Sequence, residues 1–73
     1  MSIAKRVIEK CGGVAKTAAL AGTTENWVYR WTYKKDKGGT GGIVPREAQI
    51  NLLAAAKAGK VSIEPSDFFE GQQ

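Results

Sequence analysis

Histidine is absent from this chain of 73 residues, and cysteine occurs once, as Cys11. Without histidine, and with a lone thiol that has no base partner, the residues for metal binding and for nucleophilic catalysis are missing. The seven carboxylates are dispersed, and no two of them converge as an acid–base pair. We therefore expect a protein that is not an enzyme and that needs no cofactor, no metal and no small-molecule substrate.

Long apolar segments are missing as well. No apolar run approaches the roughly 18–20 residues of a membrane span, and the opening MSIAKRVIEK lacks the apolar block of a signal peptide. Cys11 cannot form an internal disulfide, which fits a reducing compartment, and we expect it to pack as a small buried hydrophobe. The sequence thus predicts a cytoplasmic protein with no membrane partner.

The composition is that of one small globular domain spanning residues 1–73, with 42% hydrophobic residues. A chain of this size is only marginally stable alone, so self-association is expected. Its charge is uneven: residues 1–46 carry nine Lys and Arg against three acids (+6), and residues 47–73 carry two Lys against four acids (−2). This asymmetry favours one side that faces a polyanion.

Apolar periodicity and end signals predict a mainly helical chain. Ser2 is placed to cap the first helix, Thr23 or Thr24 the third, and Pro45 is placed to open the fourth. The glycines that follow the first two helices allow sharp turns. The predicted helices span residues 2–11, 14–21, 24–33 and 45–58, with one or two final helical turns over 65–70.

A glycine-rich basic stretch, KKDKGGTGG at residues 34–42, follows the third helix. Its composition predicts a mobile loop, and a small hairpin or wing over residues 34–43 is the alternative. An earlier glycine pair opens GGVAKT, residues 12–17, which resembles the phosphate-binding loop of ParA-type ATPases. That loop requires a preceding strand, whereas a helical pattern precedes GGVAKT, so we reject nucleotide binding.

The third helix organises the chain because two unlike stripes run along it. Residues 24, 27, 28 and 31 (Thr, Trp, Val, Trp) share the helical spacing of a core face. A second stripe follows the same spacing and consists of side chains that hydrogen-bond base edges, pair with phosphate or stack: Asn26, Tyr29, Arg30 and Tyr33.

The spacing of Ala18, Gly22, Val28 and Trp31 resembles the helix-turn-helix of phage Cro and repressor proteins, especially small YdaS-type regulators of prophages. The resemblance implies an all-α, lambda-repressor-like bundle of about five short helices. It also implies that the third helix enters the major groove of double-stranded DNA. The residues that it would turn towards the groove are Thr24, Glu25, Asn26, Tyr29, Arg30 and Tyr33, with Lys16 near a phosphate.

The individual side chains fit this chemistry to different degrees. Arg30 can donate to guanine O6 and N7 or bind a phosphate, and Asn26 can pair with adenine. Tyr29 and Tyr33 either contact DNA or are partly buried aromatics of the helix, and Glu25 either accepts from cytosine or, as we favour, supports the helix start. The lysines of the loop are candidates for sequence-independent phosphate contacts, or a solvated face: Lys34, Lys35 and Lys37.

Alternatives to this interpretation stay open at the sequence level. Trp27 and Trp31 could stack on single-stranded bases, although their stripe favours the core, more so for Trp31. As a regulator, the protein would bind an inverted-repeat operator as a homodimer, because one helix reads too few base pairs. The far side of helix four and the Phe68–Phe69 segment are the candidate dimer surface. Other possibilities are an antitoxin or adaptor module that binds protein, and a DNA-binding piece of a packaging or replication complex.

Overall fold

The computed structural model describes residues 2–69 and shows an all-α helix-turn-helix bundle. No strand occurs in that range, so the alternative of a hairpin or wing at 34–43 is wrong; a short 3-10 helix stands there instead. No helix in that range is long and apolar enough to span a bilayer. The elements are α1 (Ile3–Cys11), α2 (Val14–Ala21), α3 (Glu25–Trp31), a 3-10 helix (Lys35–Lys37), α4 (Arg46–Lys57) and a second 3-10 helix (Pro65–Phe68).

Side-chain and glycine caps set the helix ends, much as the sequence predicts. Ser2 Oγ accepts from the Lys5 amide at 3.1 Å, and Thr24 Oγ1 accepts from the Trp27 amide at 3.3 Å. Gly12 and Gly22 end α1 and α2 with φ values of 95° and 71°, a conformation that side-chain-bearing residues avoid. Because these caps are local, the bounds of α1 and α2 match the predicted ones closely.

Helix α2 lies at the centre of the bundle and packs against α1, α3 and α4. Its buried Ala18 and Ala21 let the neighbouring backbones approach closely. Cys11 is buried as predicted, and burial raises the pKa of its thiol, against an opposing hydrogen bond with Thr17. The largest fully enclosed side chains come from every layer of the bundle: Trp31, Leu52, Val7, Val28, Val44 and Thr17.

The C-terminal 3-10 helix is bound to α1 by an ion pair and by apolar packing. Lys10 Nζ lies 2.7 Å from Asp67 Oδ1, while Asp67 Oδ2 accepts from the Glu64 amide at 2.8 Å. Phe68 is buried in the core. Phe68 is therefore not free to form a dimer surface, contrary to the prediction from the sequence. Glu70, predicted to belong to this segment, lies outside the described residues.

Residues 34–42, hereafter the lysine loop, form a hydrogen-bonded cap on α3 where the sequence predicts a mobile loop. The amides of Thr40, Gly41 and Gly42 donate to the carbonyls of Arg30, Tyr33 and Trp31 at 3.1, 2.9 and 2.8 Å. The Gly42 carbonyl accepts in turn from the Ala4 amide at 2.9 Å, at the start of α1. The loop thus occupies carbonyls that a longer helix would have used, and α3 ends at Trp31 instead of the predicted Tyr33.

Candidate nucleic-acid interface

The turn between α2 and α3 is fixed by backbone and side-chain hydrogen bonds. The Thr23 amide donates to the Ala18 carbonyl at 3.0 Å, across the left-handed Gly22. From α4, Asn51 Nδ2 donates to the Ala21 carbonyl at 2.8 Å. Since this carbonyl lies in the last turn of α2, the contact joins α4 to the turn and helps to set the direction in which α3 leaves it.

Helix α3 has one buried and one exposed side. Val28 is fully enclosed and Trp31 is 2% exposed, so both lock α3 to the core as predicted. The remaining positions of α3 are open to solvent. Every residue that we assigned to DNA, whether on α3 or outside it, is exposed as well. Those exposed residues are Lys16, Thr24, Glu25, Asn26, Tyr29, Arg30, Tyr33, Lys34, Lys35 and Lys37.

Trp27 departs from the predicted pattern, since it is 53% exposed although it shares a stripe with Trp31. The groove beside it runs between the α2–α3 turn and the start of α4 and is lined by small residues such as Ala21, Gly22 and Ala48. The groove is open, and Trp31, Pro45, Glu47 and Asn51 also line it, so Trp27 borders a surface groove instead of filling the core. The prediction that both tryptophans pack inward is therefore wrong for Trp27.

Arg30 lies over this exposed indole, with its guanidinium carbon 5.2 Å from the centre of the Trp27 ring. Residues three apart are neighbours on a helix surface, and a cation over an indole face is a favourable pair. Within residues 2–69 the ion pair found is Lys10–Asp67, so no carboxylate in that range pairs with Arg30. Sequence spacing contained this pair, but the assignment of Trp27 to the core concealed it.

The two tyrosines are neither core residues nor fully free side chains. Tyr29 is 47% and Tyr33 46% exposed, so about half of each side chain is open to solvent. Asn26 and Arg30 share the exposed side of α3 with Tyr29, and Tyr33 follows the C-cap residue of the helix, Thr32. We call these four residues the reading surface: Asn26, Tyr29, Arg30 and Tyr33.

The lysine loop is held against the end of α3 by the three amide contacts described above. Gly39 lies so close to α3 that a Cβ there would be 2.5 Å from the Arg30 carbonyl oxygen. The stem of Lys35 lies over Gly41, where an added Cβ would be 3.4 Å from Lys35 Cγ. Since the loop is fixed in this way, its three exposed ammonium groups stay near the C-terminal end of α3.

Thr24 and Glu25 serve first as helix-start residues. The Thr24 hydroxyl oxygen caps α3, which leaves its hydrogen free to donate, and Glu25 is the acidic residue of the first turn. Lys16, in α2, is exposed and packs its side chain against the turn before that helix, with its Cδ 3.1 Å from where a Cβ of Gly12 would be. No hydrogen bond or ion pair within residues 2–69 joins Lys16 to α3.

The predicted dimer surface is exposed only in part. Ile50 on α4 and Phe69 after the last 3-10 helix are open to solvent, whereas Phe68 is buried. A shallow apolar groove borders Ile50 and is also lined by Leu53, Ile63 and Pro65. This face lies on elements other than α3 and the lysine loop.

The fold and the exposed side of α3 together define a helix-turn-helix bundle whose turn leads into a helix with polar and aromatic side chains free of ion pairs in residues 2–69. Comparisons with protein families, with curated proteins and with solved structures find no match to this chain. Its function is therefore inferred from its own residues and their arrangement.

Proposed function

We propose that this protein is a sequence-specific regulator of transcription that binds double-stranded DNA and reads an operator with α3 in the major groove, in the manner of Cro and repressor proteins. The observation that carries the proposal is the division of α3. The side of α3 that carries Val28 and Trp31 is buried in the core, and the side that carries Asn26 and Arg30 is exposed. A helix of this kind can insert its polar side into the groove without disturbing the fold.

The chemistry of the reading surface supports this function. An arginine offers a planar pair of N–H donors to guanine, and an asparagine amide matches the adenine edge. Tyrosine hydroxyls can donate to phosphate oxygens, and their rings can pack on a thymine methyl. The lysine loop follows α3, and its ammonium groups supply charge for contacts to the DNA backbone that do not depend on sequence.

The proposal extends to assembly and location. A single helix contacts few base pairs, so two copies related by a two-fold axis would bind an inverted-repeat operator. The partners are thus double-stranded DNA and a second copy of the chain. Such a regulator acts in the cytoplasm, at the nucleoid.

The test is a binding titration with short duplexes that the wild-type protein enriches from a random pool, compared with scrambled versions. We expect Arg30→Ala to weaken binding to the enriched duplex by about 1–3 kcal/mol and to reduce discrimination at one position. Arg46→Ala removes the same charge from an exposed position outside the reading surface, and is the matched control. Equal affinity of wild type and Arg30→Ala for the enriched duplex would reject the assignment of the reading surface.

An antitoxin or adaptor module on the same fold is the competing function. Its signature in this experiment is retention of DNA that is weak, sensitive to salt and the same for enriched and scrambled duplexes. If no duplex is enriched over the starting pool, the regulator proposal fails.

A further inference from the structure

The guanidinium of Arg30 lies over the Trp27 indole, and no ion pair of Arg30 occurs within residues 2–69. The guanidinium carbon lies 5.2 Å from the Trp27 ring centre, and Arg30 itself makes no hydrogen bond through its side chain within residues 2–69. Stacking on an aromatic ring uses the flat face of the guanidinium, whereas hydrogen bonds to a base use its in-plane N–H groups. Both interactions can therefore be made at once.

Trp27 is unusual because its large apolar side chain is exposed on the surface of α3. A tryptophan that is 53% exposed contributes less to core stability than a buried one, and the groove beside it is open. The described residue that uses the ring face is Arg30, one helical turn further along α3. A long arginine side chain otherwise samples many rotamers, which must be fixed when it binds.

We infer that Trp27 is a positioning residue for base recognition: its indole holds the Arg30 side chain in one orientation, with the N–H edge directed away from the helix. This inference rests on the proposed function and names the residue that sets its specificity. Fixing a rotamer-rich side chain before binding lowers the entropy cost of the complex. The stack also survives in a desolvated groove, where a cation over an indole is more favourable than in water.

The stack can be tested without DNA. In the free protein, the ring current of Trp27 shifts the side-chain protons of Arg30 upfield in the NMR spectrum. Trp27→Leu, which keeps an apolar side chain at an exposed position, abolishes this shift, and Trp27→Phe keeps part of it. Arg30 proton shifts that are the same in wild type and Trp27→Leu would overturn the inference whatever the protein binds.

The effect on recognition is tested by a double-mutant cycle on the enriched and scrambled duplexes. We expect Trp27→Leu to weaken binding to the enriched duplex roughly three- to tenfold, to leave the scrambled duplex nearly unaffected, and to have almost no further effect in the Arg30→Ala background. Trp27→Phe should restore much of the affinity, because a ring face remains. Thermal unfolding followed by circular dichroism checks that each variant is folded.

Two failures are distinguishable. If wild type discriminates between the duplexes but Trp27→Leu weakens binding equally in the wild-type and Arg30→Ala backgrounds, then Trp27 acts on its own and the inference is wrong. If wild type does not discriminate at all, the proposed function fails, and the positioning role fails with it.

Discussion

Gly39 illustrates how a single residue can decide a local structure without a special backbone conformation. A Cβ added there would lie 2.3 Å from the Tyr33 carbonyl oxygen and 2.5 Å from that of Arg30. Its φ is not in the left-handed region, so its requirement is for space alone. The close approach allows the amides of Thr40 and Gly41 to reach the end of α3.

Replacing Gly39 by alanine should therefore destabilise the protein by about 1–3 kcal/mol, because backbone atoms must move apart. Gly38→Ala is the matched comparison, since nothing lies within 4 Å of a Cβ there although φ is +82°; left-handed strain alone costs about 1–2 kcal/mol. Urea unfolding of wild type and both variants measures the free energy of unfolding that each substitution removes. If Gly39→Ala is as stable as wild type, the loop does not pack on α3 as described.

Asp67 is the other residue with a measurable signature. Burial alone raises the pKa of its carboxyl, but the hydrogen bonds from Lys10 and from the Glu64 amide, with the charges of Lys10 and Arg6, lower it overall. A carboxyl whose pKa is lowered by folding stabilises the protein above its ordinary pKa of 3.8, and this contribution is lost as the pH falls through the lowered value.

Asp67→Asn should accordingly reduce the free energy of unfolding by about 1–2 kcal/mol at neutral pH, through loss of the ion pair and weakening of the cap. Below the ordinary aspartate pKa the difference from wild type should shrink, as the wild-type carboxyl also becomes neutral. Glu9→Gln, an exposed carboxylate on α1, controls for general charge effects. A difference that stays constant down to the acid limb of the unfolding profile contradicts this account.

At the scale of the elements, the structure separates what local sequence specifies from what packing decides. The first two helices, the turn at Gly22 and the Thr24 cap depend on residues close in sequence, and the sequence predicts them correctly. The sequence also predicts correctly that the reading surface is exposed, since the apolar Val28 and Trp31 mark the opposite side of α3 as the buried one. The stripe position of Trp27 predicted burial wrongly, because its exposure depends on the open groove between the α2–α3 turn and the start of α4, which the sequence of α3 does not specify.

The structure of the lysine loop also could not be predicted from its own sequence. Glycines indicate that a backbone can bend, but they do not indicate which distant carbonyls its amides will meet. Here they meet the carbonyls of Arg30, Trp31 and Tyr33, and a stretch that reads as flexible becomes the cap of α3. The burial of Phe68 likewise depends on α1, more than fifty residues earlier in the chain.

For the molecule as a whole, the charge division becomes a prediction about salt. The basic segment 1–46 contains α3 and the lysine loop, and the acidic segment 47–73 contains most of α4 and the last 3-10 helix. Each lysine that neutralises a phosphate contributes about 0.9 to the slope of log affinity against log salt concentration. We therefore expect the loop to contribute to binding of all sequences, and α3 to discrimination among them.

Replacing Lys34, Lys35 and Lys37 together by alanine should weaken binding to enriched and scrambled duplexes alike and lower the salt slope by up to about 2.7. Lys57→Ala with Lys60→Ala, on the other segment, should change the slope little. Titrations at several salt concentrations measure both. An unchanged slope in the triple variant would show that the loop makes no phosphate contact.

The most direct measurement of the central claim is a map of where DNA touches the protein. Titrating isotope-labelled protein with an enriched duplex and following its NMR spectrum should shift and broaden the signals of the reading surface and the lysine loop most strongly. The signals of Ile50, Leu53 and Ile63, in the apolar groove beside α4, should respond to self-association only. Perturbations that centre on this groove and spare Asn26 and Arg30 would contradict the assignment of α3 as the DNA-reading element.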